Sequence, residues 1–475
     1  MQKEILIFMV VEILRYVNKY LSIMLIPLLI IAAVFFSFKT KFIQFRLFKD
    51  ALKSLMHKPK TSKASPFRSL MISMASRIGV GQIAGITLAI VAGGPGAIFW
   101  MWIMALFGCT SAFIESTLAQ IYKTKNKDGT FRGGPSYYIQ KALGKRWLGV
   151  VFACLLIGGY AYGFNMLQSY QLSSSLEYYI PQYTDSIYPF LVGTVLAIIT
   201  ALVIWGGTDR VAFISAYIVP VMSIAYIILS LIIMAKNIDK IPAMFNSIIK
   251  EAFSLRAVMT APFSAGVLMP LVHGIKRGLF SNEAGMGSAP NAAATADVKH
   301  PVNQGLVQLI SVFIDTMLIC SSTAFIVLLS GADRSKFMSQ ILLVQKSVES
   351  QVGMLGVHLI VFAIITFAFT SIIGNYCYAE SNVLFIKNNK TALNIFRVTC
   401  VIAVFVGAQA KAGFAWNVSD IFMSLMAIMN ILVILKIGNI AIKALNDYLK
   451  QKKSGVEEPE FKASDISLDN TDVWK

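Results

Sequence analysis

The sequence predicts an all-α protein that crosses a membrane about eleven times. Of its 475 residues, 56% are hydrophobic and only 14% are charged, whereas roughly 25% are charged in an ordinary soluble chain. The mean hydropathy is +0.67. Apolar stretches of about 20 residues, the length that crosses a bilayer, recur along the chain. So few charges could not cover the surface of a soluble protein of this size, and this composition also argues against disorder or a secreted disulfide fold.

The predicted spans are apolar stretches with soft boundaries, and polar groups interrupt the seventh and the ninth. They lie near residues 20–38, 69–92, 96–122, 147–168, 187–207, 211–235, 257–279, 303–330, 355–386, 394–410 and 416–442. Residues 1–19 predict an interfacial helix, because their apolar run is short and charges follow it closely. Residues 443–475 predict a tail beyond the membrane, in which the acid-rich part 454–475 is disordered.

Basic loops predict the orientation. Residues 39–68 carry nine Lys and Arg, and residues 123–146 carry seven, whereas 169–186 carry none. Such loops face the cytoplasm, which places the N-terminus outside and the C-terminus inside. The net charge of +18 is then mostly a topology signal, and a nucleic-acid footprint is the alternative. We expect a multi-pass protein of a prokaryotic inner membrane, and the sequence sets no oligomeric state.

Cysteine and histidine predict no metal site or enzyme. The five cysteines, Cys109, Cys154, Cys320, Cys377 and Cys400, all fall inside apolar spans, which favours buried free thiols. The four histidines form no metal-binding pattern, and there is no phosphate-binding loop. A membrane-embedded enzyme, a passive channel and a substrate sensor are therefore the weaker alternatives to a carrier.

Two glycine-rich segments predict helices that unwind inside the membrane. Gly79, Gly81 and Gly85 lie about ten residues into the second span. Close helix packing through a GxxxG pair is one interpretation. The other is an unwound segment whose free carbonyls bind a cation and whose half-helix N-terminus faces a carboxylate.

The second segment, residues 278–288, brings Asn282, Glu283, Gly285 and Gly287 together, with a plain loop as its alternative. It opens the seventh span, five helices after the first segment. That spacing is typical of two inverted five-helix repeats, here 69–235 and 257–442, after one extra helix.

Polar groups inside other spans add candidates for binding or for pairing. Arg77, Glu115, Asp315 and Glu380 are ionisable, and such groups are costly in lipid. In the ninth span, Ser371 and Asn375 share a helical face. Thr370 and Ser371 supply hydroxyl oxygens that suit Na⁺, although Ser and Thr also bond back to their own helix. Gln168 is a further candidate, and helix–helix contact explains it equally well.

In these segments and in several neighbouring stretches, the sequence resembles the alanine/glycine:cation symporter family, also called sodium:alanine symporters. The matching stretches are 79–85 with 92–102, 128–138, 278–290 with His300-Pro and 312–316, and 367–380. Four ordered blocks at the right spacing make a specific signal that covers about residues 66–445. The resemblance implies a leucine-transporter-type fold and Na⁺-driven uptake of alanine or glycine, with Na⁺ as coupling ion and no other cofactor.

The resemblance also implies roles for residues of this chain. Those that would face the substrate are Gly79, Val80, Gly81, Gln82, Gln168, Phe280, Ser281, Asn282, Glu283 and Asn375. Those that would bind Na⁺ are Gly79, Gly81, Thr370 and Ser371.

Two departures from the family pattern concern coupling and specificity. The family commonly has Thr or Ser and then Asn where this chain has Val80 and Gln82. Val80 cannot bind a cation through its side chain, which leaves H⁺ coupling as an alternative to Na⁺. Many members have Trp at Asn375, so we expect a roomier or more polar pocket here.

Overall fold

The computed structural model describes residues 2–56, 65–127, 129–180, 182–253, 269–332 and 339–474. These residues are almost entirely helical. Within them, the strands β1 (Thr124–Lys125) and β2 (Phe131–Arg132) form an antiparallel two-stranded ribbon.

The helices are numbered in chain order within the described residues. The first half contains α1 (Gln2–Lys39), α2 (Ile43–Arg46), α3 (Phe48–Leu55), α4 (Pro66–Arg77), α5 (Ala84–Gly93), α6 (Gly96–Ile121), α7 (Pro135–Leu143), α8 (Arg146–Leu156), α9 (Asn165–Ser174), α10 (Tyr188–Ile204), α11 (Gly207–Lys236) and α12 (Ile241–Ala252). The second half contains α13 (Met269–Asn282), α14 (Ala289–Ala293), α15 (Pro301–Phe313), α16 (Ser321–Leu329), α17 (Gln340–Ile386), α18 (Lys390–Gly407), α19 (Ala412–Ile437) and α20 (Asn439–Lys453).

Wider helical turns join two of these pairs. A π-helix over Ile157–Phe164 joins α8 to α9, and another over Ile314–Cys320 joins α15 to α16. Short 3₁₀ turns occupy Val80–Gln82, Ser175–Tyr178, Tyr183–Asp185, Ile238–Lys240 and Ala463–Ile466.

The helices account for the predicted spans. Among the described residues, eight are long and apolar enough to cross a membrane, and a ninth span is the pair Pro66–Arg77 and Val80–Gly93, bent by 56°. The shorter apolar helix α10 matches the predicted fifth span. Helix α13 matches only the end of the predicted seventh span, because residues 257–268 lie outside the described part. Helix α17 joins two segments across Gly353, at φ 71°.

The N-terminal segment differs from its prediction. No boundary separates residues 1–19 from the first span, because α1 runs unbroken from Gln2 to Lys39. The charges that suggested a boundary lie on an exposed face, where Arg15 pairs with Glu12 at 2.9 Å. A helix tolerates such a surface pair without ending.

The prediction of a disordered C-terminal tail is wrong. The tail buries Phe461, Ala463, Ile466 and Trp474. The Trp474 indole N–H donates to the Gln120 carbonyl at 2.8 Å. Its acidic residues pair with basic loops, as in Lys141–Asp472 at 2.8 Å and Lys299–Glu458. Local composition hides these contacts because each partner lies over a hundred residues away.

The cysteines follow their prediction with one exception. Cys109, Cys320, Cys377 and Cys400 are buried free thiols, whereas Cys154 is exposed on the outside of the bundle. An apolar helix surface in a membrane faces lipid, so an apolar neighbourhood in the sequence does not by itself predict burial inside the protein.

Candidate transport site

The second span is broken where the sequence predicts. Helix α4 ends at Arg77, and Gly79 has an extended backbone before the 3₁₀ turn Val80–Gln82. A Cβ on Gly79 would lie 2.4 Å from the Ser371 hydroxyl and 2.5 Å from the Gln168 side-chain amide. The Val80 backbone N–H donates to the Gln168 amide oxygen at 2.9 Å. A side chain at 79 would therefore displace Ser371 and Gln168, and Gln168 satisfies a backbone group that the break exposes.

The seventh span is broken by backbone in the left-handed region. Glu283, Gly285 and Gly287 have φ values of 57°, 85° and 83°. The Glu115 carboxylate accepts from the Gly285 N–H at 3.2 Å and from the Gly287 N–H at 3.1 Å. Its second oxygen also accepts from the Asn430 amide at 2.7 Å. The alternative of a plain loop fails, because this buried segment is held by a carboxylate from α6.

The two breaks meet. The Arg77 guanidinium Nε lies 3.7 Å from a Glu283 carboxylate oxygen. The Ser76 hydroxyl donates to the other Glu283 oxygen at 3.3 Å. A Cβ on Gly81 would lie 2.4 Å from the Phe280 ring. The geometry that the sequence predicted, two unwound segments in contact at the centre of the fold, is confirmed.

A small cavity lies between the breaks. Its volume is about 10 Å³, roughly the space that one water requires. It is lined by Ser76, Arg77, Tyr160, Phe164, Gln168, Phe280, Glu283 and Asn375. Four of the ten residues predicted to face the substrate therefore line it. An amino acid would fit only after its walls separate.

A second polar cluster adjoins the break and contains three of the six predicted residues that do not line the cavity, Gln82, Ser281 and Asn282. Gln82 donates to one oxygen of the Asp315 carboxylate, and the Ser281 hydroxyl donates to the other at 2.8 Å. The Asn282 amide donates to the Thr316 hydroxyl at 3.1 Å and accepts from the Ala284 N–H at 3.1 Å. Asn282 therefore forms a turn into the second break and links the end of α13 to the second π-helix, and it does not line the cavity.

Helix α17 places its three polar candidates differently. The Ser371 hydroxyl crosses to the first break and donates to the Ala75 carbonyl at 2.9 Å. The Thr370 hydroxyl instead donates to its own helix, to Thr366 at 2.9 Å. Asn375 lines the cavity, accepts from Ser76 at 2.6 Å and donates to Asn165 at 2.9 Å.

One end of the site is closed by a thick stack of side chains. Phe280 lies between Phe164 and Trp416, with ring centroids 5.1 and 5.4 Å away. Arg277 lies over the Trp416 ring and forms two hydrogen bonds with the Asp420 carboxylate, at 3.0 and 2.6 Å.

A second cavity lies beside Tyr378. Tyr378 donates to the Ser73 carbonyl at 3.4 Å and borders a cavity of about 240 Å³ that reaches the basic loops. The structure therefore has a closed centre with a wider approach from the side of the basic loops.

The family assignment comes from the chain as a whole. Residues 7–463 match the model of the sodium:alanine symporter family. The chain belongs to this family. It is 42% identical to the amino-acid carrier protein AlsT of Bacillus subtilis, over 97% of this chain and 96% of the relative. It is 33% identical to the sodium/alanine symporter AgcS of Methanococcus maripaludis, over 90% and 95%.

The fold is also confirmed by a distant solved structure. MhsT, crystallised in complex with L-phenylalanine, superimposes with a TM-score of 0.56 at 14% identity, over 88% of this chain and 94% of that one. This symporter-family member therefore has the leucine-transporter-type fold. Members of the sodium:alanine symporter family are transporters, so the chain is an integral membrane transporter, and the enzyme alternative is wrong.

Sequence reasoning missed part of the symporter's cavity wall. Tyr160 and Phe164 lie on the first π-helix. Such wide turns frequently mark functional sites. A signal was present in Gly158, Gly159 and Gly163, which lie among the aromatic residues of this wall.

Proposed function

We propose that this transporter imports a small neutral amino acid, alanine or glycine first, together with Na⁺ by alternating access. The observation that carries the proposal is the meeting of two broken helices at a closed, charged cavity. Paired interrupted helices are where secondary transporters bind substrate and ion. The family and its relatives support Na⁺ as the coupling ion.

The charges around the breaks favour a bound cation. Arg77 is the counter-charge for Glu283 and interacts electrostatically with Glu115 and Asp315. One guanidinium against three carboxylates leaves a formal charge of −2 in their ionised forms. Uncompensated charge inside a membrane protein costs several kcal/mol. A Na⁺ ion would reduce this cost, and so would a proton on one carboxylate, which keeps H⁺ coupling as the second candidate.

The Na⁺ site we propose lies at the first break. The carbonyls of Gly79 and Gly81 and the hydroxyl of Ser371 would supply hard oxygen ligands, with Thr370 one residue away on α17. Val80 would contribute only backbone atoms. Asp315, with Gln82 and Ser281, adds negative charge on the other side of the same break.

The substrate we propose is held between the breaks. The substrate carboxylate would face the positive end of the half-helix that starts at Val80. The ammonium group would face Glu283, while Gln168, Phe280 and Asn375 would limit the side chain. Asn282 and Ser281 would not contact the substrate directly. They would hold the end of α13 in position.

Transport by the purified protein in sealed liposomes tests this proposal. An inward Na⁺ gradient should accumulate labelled alanine or glycine, whereas equal Li⁺ or choline gradients should give less. Equal uptake under a proton gradient alone would assign coupling to H⁺. Absence of both accumulation and saturable exchange would identify a non-transporting sensor and overturn the proposal.

We further propose that the N-terminus lies outside and the C-terminus in the cytoplasm of the inner membrane. The tail contacts both predicted cytoplasmic loops, through Lys141–Asp472 and Lys452–Asp50 at 3.8 Å. These three segments therefore share one side of the protein. Labelling single cysteines added at positions 127 and 182 in intact cells would test which side this is.

A further inference from the structure

A strongly basic cavity lies away from the transport site, where α1 leaves its membrane span. Its volume is about 410 Å³. Its lining includes five cations and no carboxylate. These cations are Lys39, Lys41, Arg46, Lys450 and Lys453.

The cavity is built by a fixed turn between α1 and α2. Lys41 and Phe42 both have φ 54°, in the left-handed region. The Phe42 N–H donates to the Ser37 carbonyl at 2.8 Å, and the Thr40 hydroxyl donates to the Phe36 carbonyl at 2.7 Å. Leu445 and Leu449 of α20 form an apolar part of the lining. The cations thus surround a cavity with a defined backbone frame.

The five cations have one acidic neighbour in the described part of the chain that acts on them: Lys450 interacts electrostatically with Asp447, whose carboxylate already bonds His300 and Gln451. None of them forms an ion pair there, whereas neighbouring Lys452 pairs with Asp50 and Lys299 pairs with Glu458. Lysine at the end of α1 or α20 is individually favoured by the helix dipole. That effect does not explain why five such residues surround one cavity from which carboxylates are absent.

The position of the cavity identifies its ligand. Lys39 is the last residue of the membrane-spanning helix α1. Phe38 and Phe45 beside it are 65% and 60% exposed, as expected for aromatic residues that contact lipid at the membrane boundary. A phosphate there would have its acyl chains beside α1. We propose that this cavity binds the headgroup of an anionic phospholipid such as phosphatidylglycerol.

The proposal predicts selective stabilisation by that lipid. Thermal unfolding of the full-length protein in a neutral detergent would be followed with added phosphatidylglycerol, phosphatidylcholine with the same acyl chains, or glycerol phosphate. We expect Tm to rise in a saturable manner with phosphatidylglycerol alone. An equal effect of phosphatidylcholine would overturn the proposal, and an equal effect of glycerol phosphate would show a soluble-anion site instead.

Charge-matched variants locate the site. Lys41→Gln, Arg46→Gln and Lys450→Gln together should weaken the apparent phosphatidylglycerol affinity roughly hundredfold, at about fivefold per basic residue. The control combines Lys127→Gln, Lys387→Gln and Lys390→Gln, which remove the same charge from exposed residues elsewhere. Equal losses in both variants would overturn the proposal. If the first combination fails to fold, Lys450→Gln alone should still show the fivefold loss against Lys127→Gln alone, and no difference between the two would reject the site.

Discussion

The two broken helices are held open in different ways. At the first break, Gly79 is flanked by the side chains of Gln168 and Ser371 from other helices. At the second, the backbone N–H groups of Gly285 and Gly287 are fixed by one buried carboxylate, Glu115. The first break therefore relies on neutral groups that can exchange partners, and the second relies on one buried carboxyl group that accepts three hydrogen bonds.

This difference suggests a division of labour between the breaks. The first break would change its contacts when ion and substrate bind, since its partners are an amide and a hydroxyl. The second would act as a rigid frame that presents Glu283 to the cavity. Substitutions at the second break should then lower the stability of the protein, whereas substitutions at the first break should reduce transport without unfolding it.

The largest expected effect is at the rigid break. Glu115→Ala removes the acceptor of two backbone N–H groups and of the Asn430 amide. Each orphaned buried donor costs about 1–3 kcal/mol, so we expect little folded protein and a much lower Tm. Glu115→Gln keeps one acceptor oxygen and should recover part of the stability. If the purified Glu115→Ala variant has an unchanged Tm, then Glu115 does not fix the second break.

Transport should be lost without unfolding at the first break. Gly81→Ala places a Cβ 2.4 Å from the Phe280 ring, and should strongly reduce uptake while the variant still reaches the membrane. Gly85→Ala is the matched control, because its Cβ would lie 3.6 Å from Trp416, an ordinary contact. Similar uptake by the two variants would remove Gly81 from the site.

Coupling should weaken when the charge beside the first break is reduced. Asp315→Asn keeps the shape of the side chain but changes the formal charge of the region from −2 to −1. We expect the Na⁺ concentration for half-maximal uptake to rise by about 5–150-fold, the range of ordinary coupling energies. An unchanged Na⁺ dependence together with a lost pH dependence would show that Asp315 carries a proton.

The smallest expected effect concerns specificity. Asn375→Trp replaces a residue that accepts from Ser76 and donates to Asn165, and its bulk should narrow the substrate cavity. Competition by unlabelled amino acids should then shift a few-fold toward glycine and alanine over larger neutral substrates. An unaltered competition profile would mean that Asn375 does not limit the substrate.

The sequence predicted the two breaks because several glycines inside an apolar span have few other physical explanations. It also placed Glu283 in the second segment, whereas Phe280 was implied only by the family resemblance; both line the cavity. It could not predict that Asn282 links the end of α13 to the second π-helix, because that contact depends on Thr316, a partner on another element. Likewise, the tail looked disordered because Trp474 contacts Gln120 across 354 positions.

The central claim is that the ion at the first break and the amino acid between the breaks bind at adjoining sites, and that each strengthens binding of the other. Equilibrium binding of alanine and of glycine to the purified protein, measured calorimetrically in NaCl and in choline chloride, tests this most directly. The account predicts that Na⁺ tightens binding by at least about fivefold, and that the amino acid tightens Na⁺ binding by the same factor. Saturable binding with equal affinity in both salts would contradict it.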